Sequence, residues 1–116
     1  MKLLTSLALV AMLGLLGSCT INPHSMDMTQ AVQGAKSRSD HESLATHYEE
    51  AAKDMQAKAA EHKQMVAKYE ANKSLYGKQA SSLISHCQGL ARVYEQAAAE
   101  NLSMAESHRQ LAAESR

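Results

Sequence analysis

The chain has 116 residues, and its 12 Lys and Arg residues balance its 12 Asp and Glu residues, so its formal charge is zero. The lack of a basic excess argues against nucleic acid or anionic lipid head groups as a main partner. There is no Phe or Trp, there are only four Tyr, and alanine is the commonest apolar residue after residue 19, which excludes a large core and more than one small domain.

The first predicted element is a signal sequence. Lys2 supplies a positive charge, and Leu3–Leu16 follows as 14 uncharged, mostly apolar residues. This length is typical of a signal peptide, and it is shorter than the roughly 20 apolar residues that a membrane-spanning helix needs. The sequence therefore predicts export and not a transmembrane anchor.

The signal sequence ends in Leu16-Gly17-Ser18-Cys19, which resembles the lipobox of bacterial lipoproteins: an aliphatic residue, two small residues and a cysteine. The resemblance implies that residues 1–18 are removed and that Cys19 is acylated, by palmitate or a similar chain. Two or three acyl chains anchor a protein stably, whereas a single chain is marginal. Because Thr20 and not Asp follows the cysteine, the resemblance implies an outer-membrane lipoprotein facing the periplasm. The alternative is an ordinary secretory signal with an incidental cysteine.

Lipidation of Cys19 would leave Cys87 as the only thiol of the chain, so no disulfide within the chain could form. A single cysteine in an oxidising compartment is buried, bound to metal or paired between chains. A dimer linked through Cys87 is therefore one of the predictions for this residue.

Residues 19–39 are predicted to form a flexible tether that begins at the lipidated cysteine. They include Pro23 and Gly34 and few large apolar residues, and only 30–35 is predicted to form a turn of helix. A flexible segment of about 20 residues spans about 25 Å root-mean-square, which is enough to lift a domain off the bilayer.

Residues 40–116 are predicted to form a helical hairpin. Apolar and ring side chains recur every three or four residues in two long stretches, the pattern of amphipathic helices. We expect one helix over about 40–74 and another over about 81–115, with Ser39 or Asp40 as the first N-cap. Gly77, in the loop over about 75–80, is suited to a helix C-terminus. A short loop between two helices of about 50 Å makes them antiparallel neighbours.

The two helices are predicted to be copies of one duplicated helix. When 44–67 is shifted by 46 positions onto 90–113, 10 of 24 positions are identical, and they include the rare residues Tyr and His. The fold class is therefore all-α, a long antiparallel hairpin with an approximate two-fold axis. Because alanine buries little apolar area, we expect two hairpins to pair into a four-helix bundle, or one hairpin to dock on a helical protein partner.

The duplication predicts two equivalent contacts between the helices. If the loop is centred near residues 77 and 78, residues whose numbers add up to about 155 face each other. Tyr48 then faces His108, and Tyr94 faces His62. A tyrosine hydroxyl beside an imidazole satisfies both polar groups in a thin core.

The same part of the chain supports a second interpretation, the binding of copper or another soft metal ion. Imidazole, thioether and thiolate groups are ligands for such ions, and the hairpin register brings several of them near each other at two places. The tether segment from His24 to Met28 is weakly similar to His/Met-rich segments of periplasmic copper-binding proteins. The candidate ligands are His62, Met65, His86 and Cys87 at one place, and His41, Met104 and His108 at the other.

No reaction is predicted from this sequence. Neighbouring residues on a helix point about 100° apart, so His86 and Cys87 do not form a catalytic dyad. No Gly-rich phosphate loop is present. The leading hypothesis is a small, non-enzymatic envelope lipoprotein with a structural or protein-interaction role, and the alternative is periplasmic metal binding.

Overall fold

A computed structural model describes residues 27–115 of the chain; the predicted signal peptide, Cys19 and the first part of the tether lie outside the described residues. The described residues contain no strand, and two long helices pack against each other along their lengths. The predicted all-α helical hairpin is confirmed. Its helices are α1 (Met28–Gly34), α2 (Arg38–Ala71), α3 (Lys73–Tyr76) and α4 (Ala80–Glu114), with a 3-10 turn over Gly77–Gln79.

The first long helix begins at a capping box, two residues earlier than the sequence predicted. Ser37 is the N-cap of α2, and its hydroxyl accepts a hydrogen bond from the Asp40 backbone N–H at 3.1 Å. The Asp40 carboxylate in turn accepts from the backbone N–H groups of Lys36 and Ser37 at 3.0 and 2.9 Å. These bonds lower the pKa of Asp40 to about 2. The predicted N-cap, Ser39 or Asp40, was wrong because Asp40 acts from inside the first turn.

The reversal between the long helices contains more helix than the predicted loop. Helix α2 ends at Asn72, whose side-chain amide donates to the Lys68 carbonyl at 2.8 Å. The one-turn α3 ends at Gly77, where φ is +53° and ψ is −131°. Gly77 thus ends a helix, as predicted, and its φ is positive, although its ψ lies outside the left-handed helical region that a C-terminal glycine usually adopts. The rings of Tyr69 and Tyr76 meet edge-on at 4.9 Å and close this end of the hairpin.

The described part of the tether also contains helix. Helix α1 begins two residues before the predicted turn over 30–35 and ends one residue earlier, at Gly34. The Asp27 carboxylate accepts hydrogen bonds from the backbone N–H groups of Thr29 and Gln30 at its start. Between α1 and α2 only residues 35–37 are non-helical.

Alanine occupies every seventh position along the seam between α2 and α4. Its side chain is so small that two helix backbones can approach closely, and a seven-residue repeat keeps the same face of each helix toward its partner. A second seam line lies three positions after each alanine and carries Tyr48, His62, Tyr94 and His108. The seam alanines, all buried, are Ala45, Ala52 and Ala59 on α2 and Ala91, Ala98, Ala105 and Ala112 on α4.

Enlarging a seam alanine should destabilise the hairpin. Ala52 is almost completely buried, so Ala52→Leu forces the helices apart and should lower the free energy of unfolding by about 1–3 kcal/mol. Urea unfolding followed by circular dichroism measures this change. The matched control is Ala57→Leu on the exposed side of the same helix, with an expected effect within about 0.5 kcal/mol. Equal effects of the two substitutions would contradict a close-packed alanine seam.

Candidate functional site

The two predicted tyrosine–histidine contacts are both present. The rings of Tyr48 and His108 are stacked with centroids 5.6 Å apart and an angle of 9° between their planes. The rings of His62 and Tyr94 are stacked at the same 5.6 Å, with an angle of 12°. Two pairs that are related by the 46-residue shift thus adopt the same geometry, which supports the interpretation of the hairpin as a duplicated helix.

Two ion pairs between the helices follow the same symmetry. The Glu49 carboxylate accepts two hydrogen bonds from the Arg109 guanidinium, at 2.6 and 3.1 Å. Lys63 and Glu95 form the equivalent pair. The hydrogen bonds from Arg109 lower the pKa of Glu49, and the same contact raises the pKa of Arg109. Sequence analysis missed these pairs, although Glu49 and Glu95 are identical positions of the duplication.

The ion pairs divide the hairpin into two unlike faces. Each of the four charged residues directly follows a ring residue of the seam, so all four lie on one face, which we call the ion-paired face. The residues directly before the α4 seam alanines lie on the opposite face. They form what we call the apolar line: Leu90, Ala97, Met104 and Leu111. Its large side chains, Leu90, Met104 and Leu111, are 42%, 42% and 43% exposed.

The two ends of the seam differ at one position of the duplication. The Nδ1 edge of His41 faces that of His108: the ring centroids are 5.4 Å apart, and the Nδ1 atoms of the two rings are 3.1 Å apart. His108 therefore contacts His41 and Tyr48, and we call these three residues the histidine cluster. At the other end the 46-residue shift places Cys87 where the first copy has His41. Cys87 is buried there as a free thiol.

The histidine cluster favours the neutral form of His108. His108 is buried, and this loss of solvation lowers its pKa, while positive charge on His41 lowers it further. A hydrogen bond between two Nδ1 atoms requires that one ring donates and the other accepts, so at least one of the rings is neutral. In the other copy, the Nδ1 atom of His62 is buried and has no hydrogen-bond partner among the described residues.

The candidate metal ligands are only partly brought together. Within residues 27–115, no group of three or more His, Cys, Asp or Glu side chains has a geometry that could hold a metal ion. His41 and His108 do meet, whereas His86 and Met104 are exposed on α4. Met65 is half-buried. The tether segment from His24 lies mostly outside the described residues.

Sequence analysis also missed the burial of His47. This side chain is buried, and its ring lies edge-on to Tyr48 with centroids 6.4 Å apart. The duplication carries no signal for this position, because the equivalent residue of the second helix is the exposed Val93. His47 is thus a feature of the first copy alone.

No protein-family model, no curated protein and no solved structure matches this chain. Among residues 27–115, none of the helices combines the length and the apolar character needed to cross a membrane. The contacts of the chain's own residues are therefore the basis for any functional conclusion.

The lowered pKa of His108 predicts that the hairpin loses stability in mild acid. Folding favours the neutral imidazole, so the unfolded chain binds the proton first as the pH falls below the ordinary value of 6.5. The free energy of unfolding should be highest above this pH and should fall between about pH 7 and about pH 5. Urea titrations at a series of pH values measure the slope.

The slope should be smaller in His108→Gln, which removes the buried imidazole. The matched control is His86→Gln, which changes an exposed histidine of the same helix and should keep the slope of the unchanged chain. If His108→Gln retains the full slope, other groups cause the pH dependence.

Proposed function

We propose that this chain is a small, lipid-anchored protein of the bacterial envelope that acts by self-association and not by catalysis. The observation that carries the proposal is the apolar line on α4. Leu90, Met104 and Leu111 are exposed there, and with Ala97 they form a line at seven-residue spacing, which is the spacing at which one helix packs against another.

The contrast between the two faces supports this proposal. On the ion-paired face, charged side chains of both helices already bind each other across the seam. The four residues of the apolar line, from Leu90 to Leu111, are all uncharged. In a single hairpin these apolar side chains are exposed, and their spacing suits packing against another helix. Such a line indicates an interaction surface.

A second copy of the chain is the partner that fits this surface best. A two-fold dimer apposes the same surface of both copies, so apolar side chains would meet apolar side chains and no charge of this line would be buried. Leu90 to Leu111 covers 21 residues, or about 32 Å of helix. One helix line is a small interface, so association needs a high local concentration.

Lipid attachment would supply that concentration. The lipobox resemblance implies acylation of Cys19, and copies that are anchored to one membrane surface share a thin layer instead of the whole compartment volume. Thr20 after the cysteine favours the outer membrane, with the hairpin in the periplasm. The described part of the tether consists of residue 27, helix α1 and residues 35–37, and it leads directly into α2.

Self-association should depend on the apolar line. Met104→Glu places a charge in the middle of the line and should abolish the dimer that chemical cross-linking detects in intact cells. The matched control is Leu102→Glu. Leu102 is 44% exposed, almost the same as Met104, but it lies midway between Glu95 and Arg109 on the ion-paired face.

Equal cross-linking of the Met104→Glu and Leu102→Glu chains would contradict the proposed interface. Circular dichroism of both variants checks that the hairpin itself is intact, because both positions are exposed and neither belongs to the seam.

Membrane attachment should depend on Cys19. Cys19→Ala removes the acylated atom, so the chain should no longer incorporate labelled palmitate and should leave the membrane fraction. Cys87→Ala is the matched control because it removes the other thiol, and this variant should remain labelled and membrane-bound. A membrane-bound, unlabelled Cys19→Ala chain would contradict lipid anchoring.

A further inference from the structure

The reversal between the two long helices is almost entirely helical. Between α2 and α4 the backbone departs from helical angles at two residues: Asn72, with φ −121° and ψ 32°, and Gly77, with φ +53° and ψ −131°. The other residues of this segment belong to α3 or to the 3-10 turn. Rotation of the backbone at these two residues, with a slight loosening of the 3-10 turn, would therefore join α2 to α4 in one continuous helix over 38–114, about 115 Å long.

The side chains of the reversal do little to hold it closed. Residues 71–79 are all exposed, and Leu75 is 76% exposed. Opening would break the edge-on contact between the rings of Tyr69 and Tyr76. Segments with few buried contacts are those that open at low cost. The hairpin is therefore held together by its seam and not by its turn.

A continuous helix would keep the seam on one side. Ala59 is the last seam alanine of α2, and Ala91 is the first of α4. They are 32 positions apart, which is four seven-residue repeats plus four residues. A single insertion of four residues into such a repeat is absorbed by local unwinding of the supercoil. The seam lines of the two helices would thus follow the same side of the continuous helix.

We propose that two copies of this chain exchange their α4 helices. Each copy opens at Asn72 and Gly77 into one continuous helix, and two of these helices pair antiparallel along the seam. Helix α2 of each copy then packs against α4 of the other copy with the contacts of the hairpin, which is the low-cost route to a dimer known as domain swapping. This association does not use the apolar line, so it goes beyond the proposed function and does not rest on it.

The register of the seam fits such a pair. The residue numbers of both tyrosine–histidine stacks add up to 156. An antiparallel pair of continuous helices with this register has its two-fold axis at residue 78, where the two opened reversals lie side by side. Tyr76 of each copy then faces Ala80 of the other, a large side chain opposite a small one. Every stack and ion pair of two separate hairpins is retained.

Gly77 controls the balance between the hairpin and the continuous helix. Its φ of +53° is an angle that L side chains rarely adopt. In a continuous helix this residue has ordinary helical angles, at which alanine is much more favourable than glycine. A Cβ added at Gly77 would meet no atom within 4 Å. Gly77→Ala therefore acts through the backbone alone: it disfavours the reversal and favours the continuous helix.

Chemical cross-linking of the ion pair between Lys63 and Glu95 tests the proposal. Full chains labelled with ¹⁴N or ¹⁵N are unfolded in urea, refolded together in detergent and treated with a carbodiimide, which joins the amine to the carboxylate as an amide. Hairpins give links within one isotope, whereas exchanged dimers also give mixed-isotope links, which mass spectrometry distinguishes. We expect mixed links in the unchanged chain, at a fraction that rises with protein concentration because exchange is bimolecular.

Gly77→Ala should raise the association constant of the exchanged dimer at least about 10-fold, since two hinges change in each dimer. The matched control is Gly89→Ala, the same change inside α4, where the backbone is helical in both forms. Its added Cβ would meet the Arg92 side chain at an ordinary 4.0 Å. Gly89→Ala should leave the association constant unchanged.

Mixed-isotope links that are absent at all concentrations, in both the unchanged and the Gly77→Ala chain, would overturn the proposal. An equal rise in Gly89→Ala would also overturn it. Adding Met104→Glu to Gly77→Ala should leave the mixed links in place, because Met104 lies on the apolar line and not in the seam. Loss of the links in this double variant would contradict the exchange and would assign the association to the apolar line.

Discussion

The close approach of two helices along a line of alanines is the constraint on which the rest of the hairpin depends. Each buried alanine contributes little apolar area, so the alanines of the seam cannot stabilise it through the burial of large side chains. They allow the backbones to come near each other, and the larger seam side chains must then lie flat between the helices. The angles of 9° and 12° in the two tyrosine–histidine stacks are consistent with this restriction. Ring stacking thus supplies specific contacts that alanine cannot provide.

Comparison of the two copies of the duplicated helix distinguishes features that both copies share from features that only one copy has. The seam alanines, the tyrosine–histidine stacks and the ion pairs between the helices occur in both copies, so they are requirements of the antiparallel pairing. The copies differ where His41 corresponds to Cys87 and where His47 corresponds to Val93. The helices pair along both copies despite these exchanges, so the differing positions give each half of the chain its own properties.

The register of the hairpin could be predicted from the sequence because rare residues repeat in it. Tyr48 and His62 each have a copy at the same shift, and two facing pairs are enough to fix which residues oppose each other. The exact helix start was less predictable, because Ser37, Ser39 and Asp40 are all good caps, and only the reciprocal hydrogen bonds distinguish them. The sequence placed His41, Met104 and His108 at the same end of the hairpin as candidate ligands, but it did not predict the direct contact between the two histidines. The register opposes His108 to Tyr48, and His41 reaches the same ring from seven residues, or two helical turns, away.

The position of the histidine cluster relates it to the predicted anchor. Helix α2 begins and α4 ends at the same end of the hairpin, and the tether enters α2 at this end. The histidine cluster therefore lies at the end of the hairpin that is next to the tether. The Tyr69–Tyr76 contact lies at the other end, about 40 Å away, because 28 residues of α2 separate His41 from Tyr69. The apolar line belongs to the helix that returns toward the tether. Two copies can pair along this line in two ways. A two-fold axis perpendicular to α4 would place the two histidine clusters at opposite ends of the bundle. A two-fold axis parallel to α4 would place both clusters at the same end, beside the membrane. When both hairpins stand upright on the bilayer, the second arrangement brings both tethers to the same surface, so upright anchoring of both copies favours parallel pairing of the two hairpins.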